Sequence, residues 1–439
     1  MNKIELGTRW WELPSVVKKH PVISKFLADS NRNIITCAGR RSYKSEINKR
    51  KIALYAMTRP NTSYLIICPT IAQTVNVYWN GVLNIFDLIP PGYIKRCSDS
   101  KYRIELMNGS IIQLASADTI ERSEGVDYDG CVIDEAGDVM DLKNVIEMNI
   151  QPMLMNAKGF LYISGVPRQT YPYYKELYEK YSDSRAYPDW SCYTWKSADV
   201  LDAAEIEKIK ANIDPLTFLQ EYEGTFHTGY KGLCYYPYSD SKHIRSLTFN
   251  RSLPLHIACD FNTSIMPWTL FQIQPNEDIT CFDQVVDRHT YIPKMADNLK
   301  EKLCQLFGSE QAAKSHALIF NGDYTGTNQS ATAKGSIWEV LLSLFVNNGW
   351  NAIKEIKTNP EVERRVNATN ARLMSADNKI HLYVDEKCQE LIKDFKNVNW
   401  QDLNRNKEML ERQERTHSSD ALSYAVNKYF PTKNLVQGG

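Results

Sequence analysis

Lys44 and Ser45 close the stretch Ala38-Gly-Arg-Arg-Ser-Tyr-Lys44-Ser45, which follows the apolar run Asn33-Ile-Ile-Thr-Cys37. A turn of this kind, leaving a strand and opening a helix, cradles phosphates: backbone N–H groups point inward, a lysine reaches the β- and γ-phosphates and a hydroxyl ligates Mg²⁺. Gly39, Arg40, Arg41 and Ser42 would form the cradle, and Lys44 and Ser45 the two specific contacts. Ala38 and Tyr43 stand where glycine is usual, so Tyr43 is expected to narrow the loop. About 90 residues further on, Cys131-Val-Ile133 ends in Asp134-Glu135. A strand closing on two carboxylates completes such a site, with Asp134 holding the Mg²⁺ of ATP and Glu135 polarising an attacking water. A third strand-like run, Gly159 to Ile163, stops at Ser164-Gly165-Val166-Pro167, whose hydroxyl is placed to sense the γ-phosphate and pass that state on.

The second half carries a separate set of carboxylates. His256-Ile-Ala-Cys-Asp260 and Ala317-Leu-Ile-Phe-Asn-Gly-Asp323 are apolar runs that each stop at an aspartate, and His417-Ser-Ser-Asp420 opens a final helix-like stretch, 421–430. Residues three apart share a helical face, so His417 and Asp420 can address one point. Asp260, Asp323 and Asp420, with His417 beside the last, are expected to gather two Mg²⁺ or Mn²⁺ ions for phosphodiester hydrolysis. Asp283 is a competing candidate for this site. Arg364, Arg365 and Arg372 lie on one helix-like stretch and offer sequence-independent phosphate contacts to DNA.

The elements needed to position these groups are legible in the pattern. After the first loop, 44–57 reads as helix, Ser63 to Cys68 as strand and 70–86 as helix, a βαβ rhythm that implies a parallel sheet with ligands at its carboxyl edge. Asn108-Gly109 between two alternating runs signals a hairpin. In the second half, three strand-like runs, a helix over 293–307 and a fourth strand give a ribonuclease H-like layout. The expected fold class is therefore α/β, with a RecA-like P-loop ATPase domain over 1–225, a glycine- and aromatic-rich junction over 226–250, and a ribonuclease H-like nuclease domain over 251–439. The length of 439 residues suits two such domains.

Lys+Arg and Asp+Glu are both 52, giving a formal net charge of +0, so any contact with a polyanion must come from local patches rather than from the total. The ten cysteines include no CxxC pair, which argues against a cysteine metal site and suits a reducing compartment. The sequence shows no run of about 18 apolar residues, so no membrane contact is expected.

The ordered set AGRRSYKS, CVIDEA, SGVP, IACDFN, NGD and HSSDALSY, with RRVNATNARL ahead of the last helix, resembles the large terminase subunits of tailed double-stranded DNA bacteriophages over nearly the whole chain. That resemblance implies a motor that hydrolyses ATP to move double-stranded DNA into a procapsid and a nuclease that cuts concatemers. It carries the ATP and Mg²⁺ contacts to Lys44 and Ser45, the strand carboxylates to Asp134 and Glu135, and the coupling turn to Ser164, Gly165 and Pro167. It places Arg122 as a candidate arginine finger reaching a neighbour's ATP, and the nuclease carboxylates at Asp260, Asp323 and Asp420. The partners it implies are double-stranded DNA, a small terminase subunit and the capsid portal, with a homo-oligomeric ring on the portal, in the host cytoplasm and transiently on the procapsid. Two other readings compete: a helicase-like remodelling ATPase without nuclease activity, and a non-catalytic DNA-binding scaffold.

Overall fold

The computed structural model describes residues 6–123, 125–168, 171–226, 232–327, 335–355, 358–400 and 416–432. These divide into two compact units: 6–206 with 216–226, and 207–215 with 232–432. Within the junction expected over 226–250, residues 227–231 lie outside the described ones.

The first unit is built on eight strands, β1 (Asn33–Ala38), β2 (Ser63–Cys68), β3 (Ile94–Ser98), β4 (Arg103–Leu106), β5 (Ile111–Ser116), β6 (Gly130–Ile133), β7 (Phe160–Gly165) and β8 (Trp190–Trp195), in the order β3-β4-β5-β2-β6-β7-β1-β8. The six from β5 to β8 are parallel, and β3 and β4 extend the β5 edge antiparallel through the hairpin at Gly109, whose φ is +86°. The central strands are buried at nearly every position, as strands covered on both faces must be. One face packs Ile34, Tyr64, Ile66 and Val132 against the helix Lys44–Thr58, and the other packs Ile35, Leu65, Ile133 and Ile163 against Val145, Ile150 and Tyr174. Register sets the ligand edge: Cys37 of β1 pairs with Gly165 of β7, and Ile163 of β7 with Ile133 of β6. Ala38, Asp134 and Ser164 therefore emerge side by side.

The helix expected over 70–86 is much shorter. It covers Ile71–Thr74, capped by Thr70 and Gln73, and then widens into a π-helical turn, Val75–Trp79. Such turns are rare and often sit at functional sites; this one holds Tyr78.

The second unit has six strands, β9 (Leu255–Cys259), β10 (Ile265–Ile273), β11 (Ile279–Arg288), β12 (Leu318–Gly322), β13 (Ala352–Lys354) and β14 (Leu382–Val384), ordered β13-β12-β9-β10-β11-β14. Strands β9, β10 and β11 form an antiparallel meander, β12 joins β9 in parallel, and β13 joins β12 in parallel. The helix Ile292–Phe307 crosses between the meander and β12 and ends on Gly308 at φ +78°. This is the expected ribonuclease H-like layout, with β14 added beside β11. One face is covered by Leu299, Leu303, Trp338 and Phe345, and the other by Val366, Leu391, Phe395, Leu422 and Val426. Tyr235 and Tyr238 of the aromatic stretch pack on Phe395, a core role rather than a base-stacking one.

Candidate nucleotide and phosphodiester sites

At the carboxyl edge of the first sheet, Lys44 is buried and its Nζ donates to the carbonyls of Ala38 (3.1 Å) and Gly39 (2.8 Å). Ser45 Oγ donates to Asp134 Oδ2 at 2.6 Å, Tyr78 OH donates to the same oxygen at 2.8 Å, and Ser164 Oγ donates to Asp134 Oδ1 at 2.6 Å. Asn48 Nδ2 donates to Ser164 Oγ at 2.8 Å, so the helix that opens at Lys44 holds the end of β7. Three hydroxyls from three elements meet on one buried carboxylate, and Asn48 ties one of them back to the helix. A hydroxyl and a carboxylate placed together suit an oxygen-seeking divalent ion, and Ser45 and Asp134 would hold the Mg²⁺ of a nucleotide.

Tyr43 takes the left-handed backbone conformation, φ +67°, at the head of the helix, and Arg41 does the same at φ +54°. This is why glycine is usual at position 43: only glycine adopts that φ without strain. The Tyr43 ring is half-buried and packs against the core. Gly39 has no room for a side chain, since a Cβ there would lie 2.3 Å from Ser197 Oγ and 2.4 Å from the Tyr222 carbonyl. Ser42 is buried and donates to the Gly39 carbonyl at 2.5 Å, while Trp195 Nε1 donates to the Ser42 carbonyl at 2.9 Å.

Glu135 follows Asp134 with φ +53°, another left-handed non-glycine residue. Burial pushes its carboxyl above the usual range, Lys44 opposes that shift, and Asp134 adds to it. Gly165 closes β7 against the backbone of Ala136 and Gly137, at 3.0 and 3.1 Å from where its Cβ would be, and Pro167 follows in the turn. Beyond it, Arg168 donates to Asp138 at 2.8 Å and pairs with Glu221, which also pairs with Arg40 of the phosphate loop. Tyr78, Asn48, Arg168 and Glu221 are thus parts of this site that the sequence reading missed. Each lies outside the loop and strand-end motifs, and nothing in local spacing marks it. Arg122 is exposed in the irregular 3₁₀ segment Ala117–Ser123, which follows β5 on the same edge of the sheet.

In the second unit Cys259 of β9 pairs in parallel register with Gly322 of β12, so Asp260 and Asp323 leave neighbouring strand ends, about 5 Å apart at the backbone. His417 Nδ1 lies 2.9 Å from Asp260 Oδ2, and Asn262 Nδ2 is 3.0 Å from His417 Nε2. Asp323 Oδ1 accepts from Asn359 Nδ2 at 2.6 Å. Asp420 Oδ1 accepts from Arg365 at 2.6 Å. The expected convergence of Asp260, Asp323 and Asp420 is not formed: among the described residues no group of three or more His, Cys, Asp or Glu side chains stands at metal-holding spacing. Each aspartate is held by its own partner, and the guanidinium of Arg365 stands where a cation would balance Asp420. As arranged, these residues do not fit a two-ion centre. Asp283 pairs with Lys302 at 2.8 Å on β11, two strands from β9.

The three arginines separate. On the helix Val362–Leu373, Arg365 is 3% exposed, bonded to Asp420 and Ser423 and set over the Tyr424 ring. Arg372, one heptad on, is 8% exposed, pairs with the Glu277 carbonyl and lies over the Phe430 ring. Both face the core because they share the stripe of Val366, Ala368 and Leu373. Neither offers a phosphate contact, which corrects the expectation drawn from their charge. Arg364 points elsewhere, into a cavity of about 610 Å³ next to Asp323 that is also lined by Asn359, Asn427 and Lys428. Among the described residues, no helix is long and apolar enough to cross a membrane.

No protein-family model matches the chain. The large terminase subunit of Escherichia phage T5 is 25% identical over 223 residues, 49% of this chain and 49% of that protein. The match thus spans about half the length of that curated relative. The large terminase of a thermophilic bacteriophage superposes with a TM-score of 0.51 at 14% identity, covering 97% of this chain and 99% of that one. A further crystal form of the same thermophilic phage protein, in complex with ADP, gives 0.50 at 13% identity over 99% and 100%. At such identities the likeness is one of fold, and it runs through both units. With a P-loop sheet followed by a ribonuclease H-like sheet in one chain, this protein has the fold of the phage large terminase subunits.

Proposed function

We propose that this chain is the motor subunit that packages double-stranded viral DNA, hydrolysing ATP to move the duplex into a procapsid. The observation that carries this reading is the cluster on Asp134, where Ser45 from the phosphate loop, Tyr78 from the π-helical turn and Ser164 from the coupling turn share one carboxylate. ATP with Mg²⁺ would supply the phosphoanhydride and the charge that polarises it. Lys44, now on two carbonyls of its own loop, would turn to the phosphates. Glu135 would orient the water and hold the proton that it loses, and Ser164 would relay a change at Asp134 into β7 and Asn48. Arg122, exposed on the same edge of the sheet, suits a finger offered to the nucleotide of a second copy in a ring. A small terminase subunit and the capsid portal are the partners of this reading.

For the second unit we propose phosphodiester cleavage resting on Asp260 and Asp323, the pair aligned by strand register, with Arg364 contacting the DNA backbone. A translocating ATPase that does not cut is the second reading, and Arg365 favours it by neutralising Asp420. Two measurements on the full chain test both. ATP turnover should fall at least a hundredfold in Lys44→Ala and in Glu135→Gln, since each removes a group that acts at the transition state; turnover unchanged in both would end the motor reading. Plasmid nicking with added Mn²⁺ should vanish in Asp260→Asn while ATP turnover stays normal. Native protein that never nicks DNA would establish the non-cutting reading.

A further inference from the structure

At the opposite, amino edge of the first sheet lies a cavity of about 300 Å³ across the starts of four adjacent parallel strands, β2, β6, β7 and β1. Its lining includes three cations, Arg32, Arg59 and Lys158, against one carboxylate, Asp129. The carboxylate is occupied: Asp129 Oδ2 accepts from the Ser63 backbone N–H at 2.8 Å. The cations are not neutralised, because among the described residues none of the three forms an ion pair. Arg32 spends its Nε on the Gly159 carbonyl at 2.9 Å, which leaves the end of its fork for another acceptor. The Arg59 guanidinium carbon lies 3.9 Å from the centre of the Tyr55 ring, a cation–π contact that helps hold the side chain at the cavity. Tyr64, also in the lining, is fully buried, and its hydroxyl makes no hydrogen bond of good geometry, with Thr62 and Arg59 as its polar neighbours. A buried hydroxyl without a good hydrogen bond is costly, and a ligand acceptor would relieve it.

We propose that this cavity is a second phosphate-binding site, remote from the nucleotide edge, that seats a phosphate group between Arg32, Arg59 and Lys158 with the Tyr64 hydroxyl donating from below. A phosphate suits it better than a lone carboxylate because it offers enough acceptor oxygens for a fork, a second guanidinium, an ammonium and a phenol together. The cavity is larger than a phosphate alone needs. Free phosphate and a nucleoside 5′-monophosphate are therefore the two sources of this chemistry.

The site is tested by calorimetric titration of the full chain held in saturating ADP and Mg²⁺, so that the phosphate loop is filled, with inorganic phosphate in one arm and a nucleoside 5′-monophosphate in the other. One saturable event is expected, weakened at least tenfold in Arg59→Gln and several-fold in Lys158→Gln, whose exposed side chain has no ion pair to lose. A tighter monophosphate arm assigns the nucleotide source, and equal arms assign free phosphate. In Tyr64→Phe the binding should weaken several-fold while the melting temperature without phosphate rises, a combination that a purely structural tyrosine would not give. No saturable phosphate, binding unchanged in both charge variants, or binding of a glutamate-rich peptide alone would overturn the proposal.

Discussion

At Tyr43 two costs compete, and magnitudes decide between them. A non-glycine residue at φ +67° carries roughly 1–2 kcal/mol of backbone strain, which Tyr43→Gly would relieve. The same change removes a half-buried ring from the core and adds freedom to the unfolded chain, together about 2–3 kcal/mol against it. The variant should therefore be less stable by about 1 kcal/mol, read as a lower denaturant midpoint, and a midpoint at or above the native value would show that the ring contributes little. Residue identity was legible here, since Lys44, Ser45, Asp134 and Ser164 all sit where the motifs placed them. What local sequence could not carry was the set of partners. Tyr78 reaches Asp134 from a turn that breaks helical periodicity, and Glu221 meets Arg40 and Arg168 across the fold. The opposite error arises at Arg365 and Arg372, where charge in the sequence suggests a DNA-facing surface. Burial with a carboxylate or a carbonyl and an aromatic ring gives those arginines an inward role.

The helix Lys44–Thr58 shows how an element can hide its environment. Its three consecutive cations, Lys49, Arg50 and Lys51, are all buried, held by the N-terminal segment and the loop after the π-helical turn. Lys49 donates to Glu46 and the Leu83 carbonyl, Arg50 to Glu46 and the Trp10 carbonyl, and Lys51 to the carbonyls of Phe26 and Asp29, at 2.7 Å each. Only Lys51 lacks a direct carboxylate partner among these contacts, and burial lowers it from an ordinary 10.5 to about 8. The folded state thus sheds this proton more readily than the unfolded chain. The resulting stabilisation is fully present above 10.5 and is lost as pH falls through about 8. The full difference is on the order of 3 kcal/mol. Lys51→Met removes the titrating group, so the native stability minus that of the variant should grow by up to about this amount between pH 7.5 and 10.5. Parallel stability curves for the two proteins across that range would mean that Lys51 keeps its ordinary affinity for the proton.

The whole molecule consists of two units, each with a covered sheet and its own buried clusters, and each with candidate site residues at the carboxyl ends of parallel strands. That architecture was readable from strand endings and the βαβ rhythm, because a parallel sheet must expose its loops at one edge. Assembly of the second site was not readable, since three aspartates at suitable strand and helix ends do not specify which neighbour each will choose. Asn359 and Arg365, from a loop and a helix far along the chain, took two of them. Independent cores imply independent melting, and a ligand stabilises only the unit that binds it, by an amount that grows with its concentration over its dissociation constant. Calorimetric scans of the full chain should therefore show two transitions. At 100 times the dissociation constant, ADP with Mg²⁺ should add about 2.7 kcal/mol to one of them and leave the other in place. In Lys44→Ala the moving transition should stay still at the same ADP concentration. A single transition that shifts as a whole would mean that the two units unfold as one, and nucleotide effects would then have to be read on the entire chain.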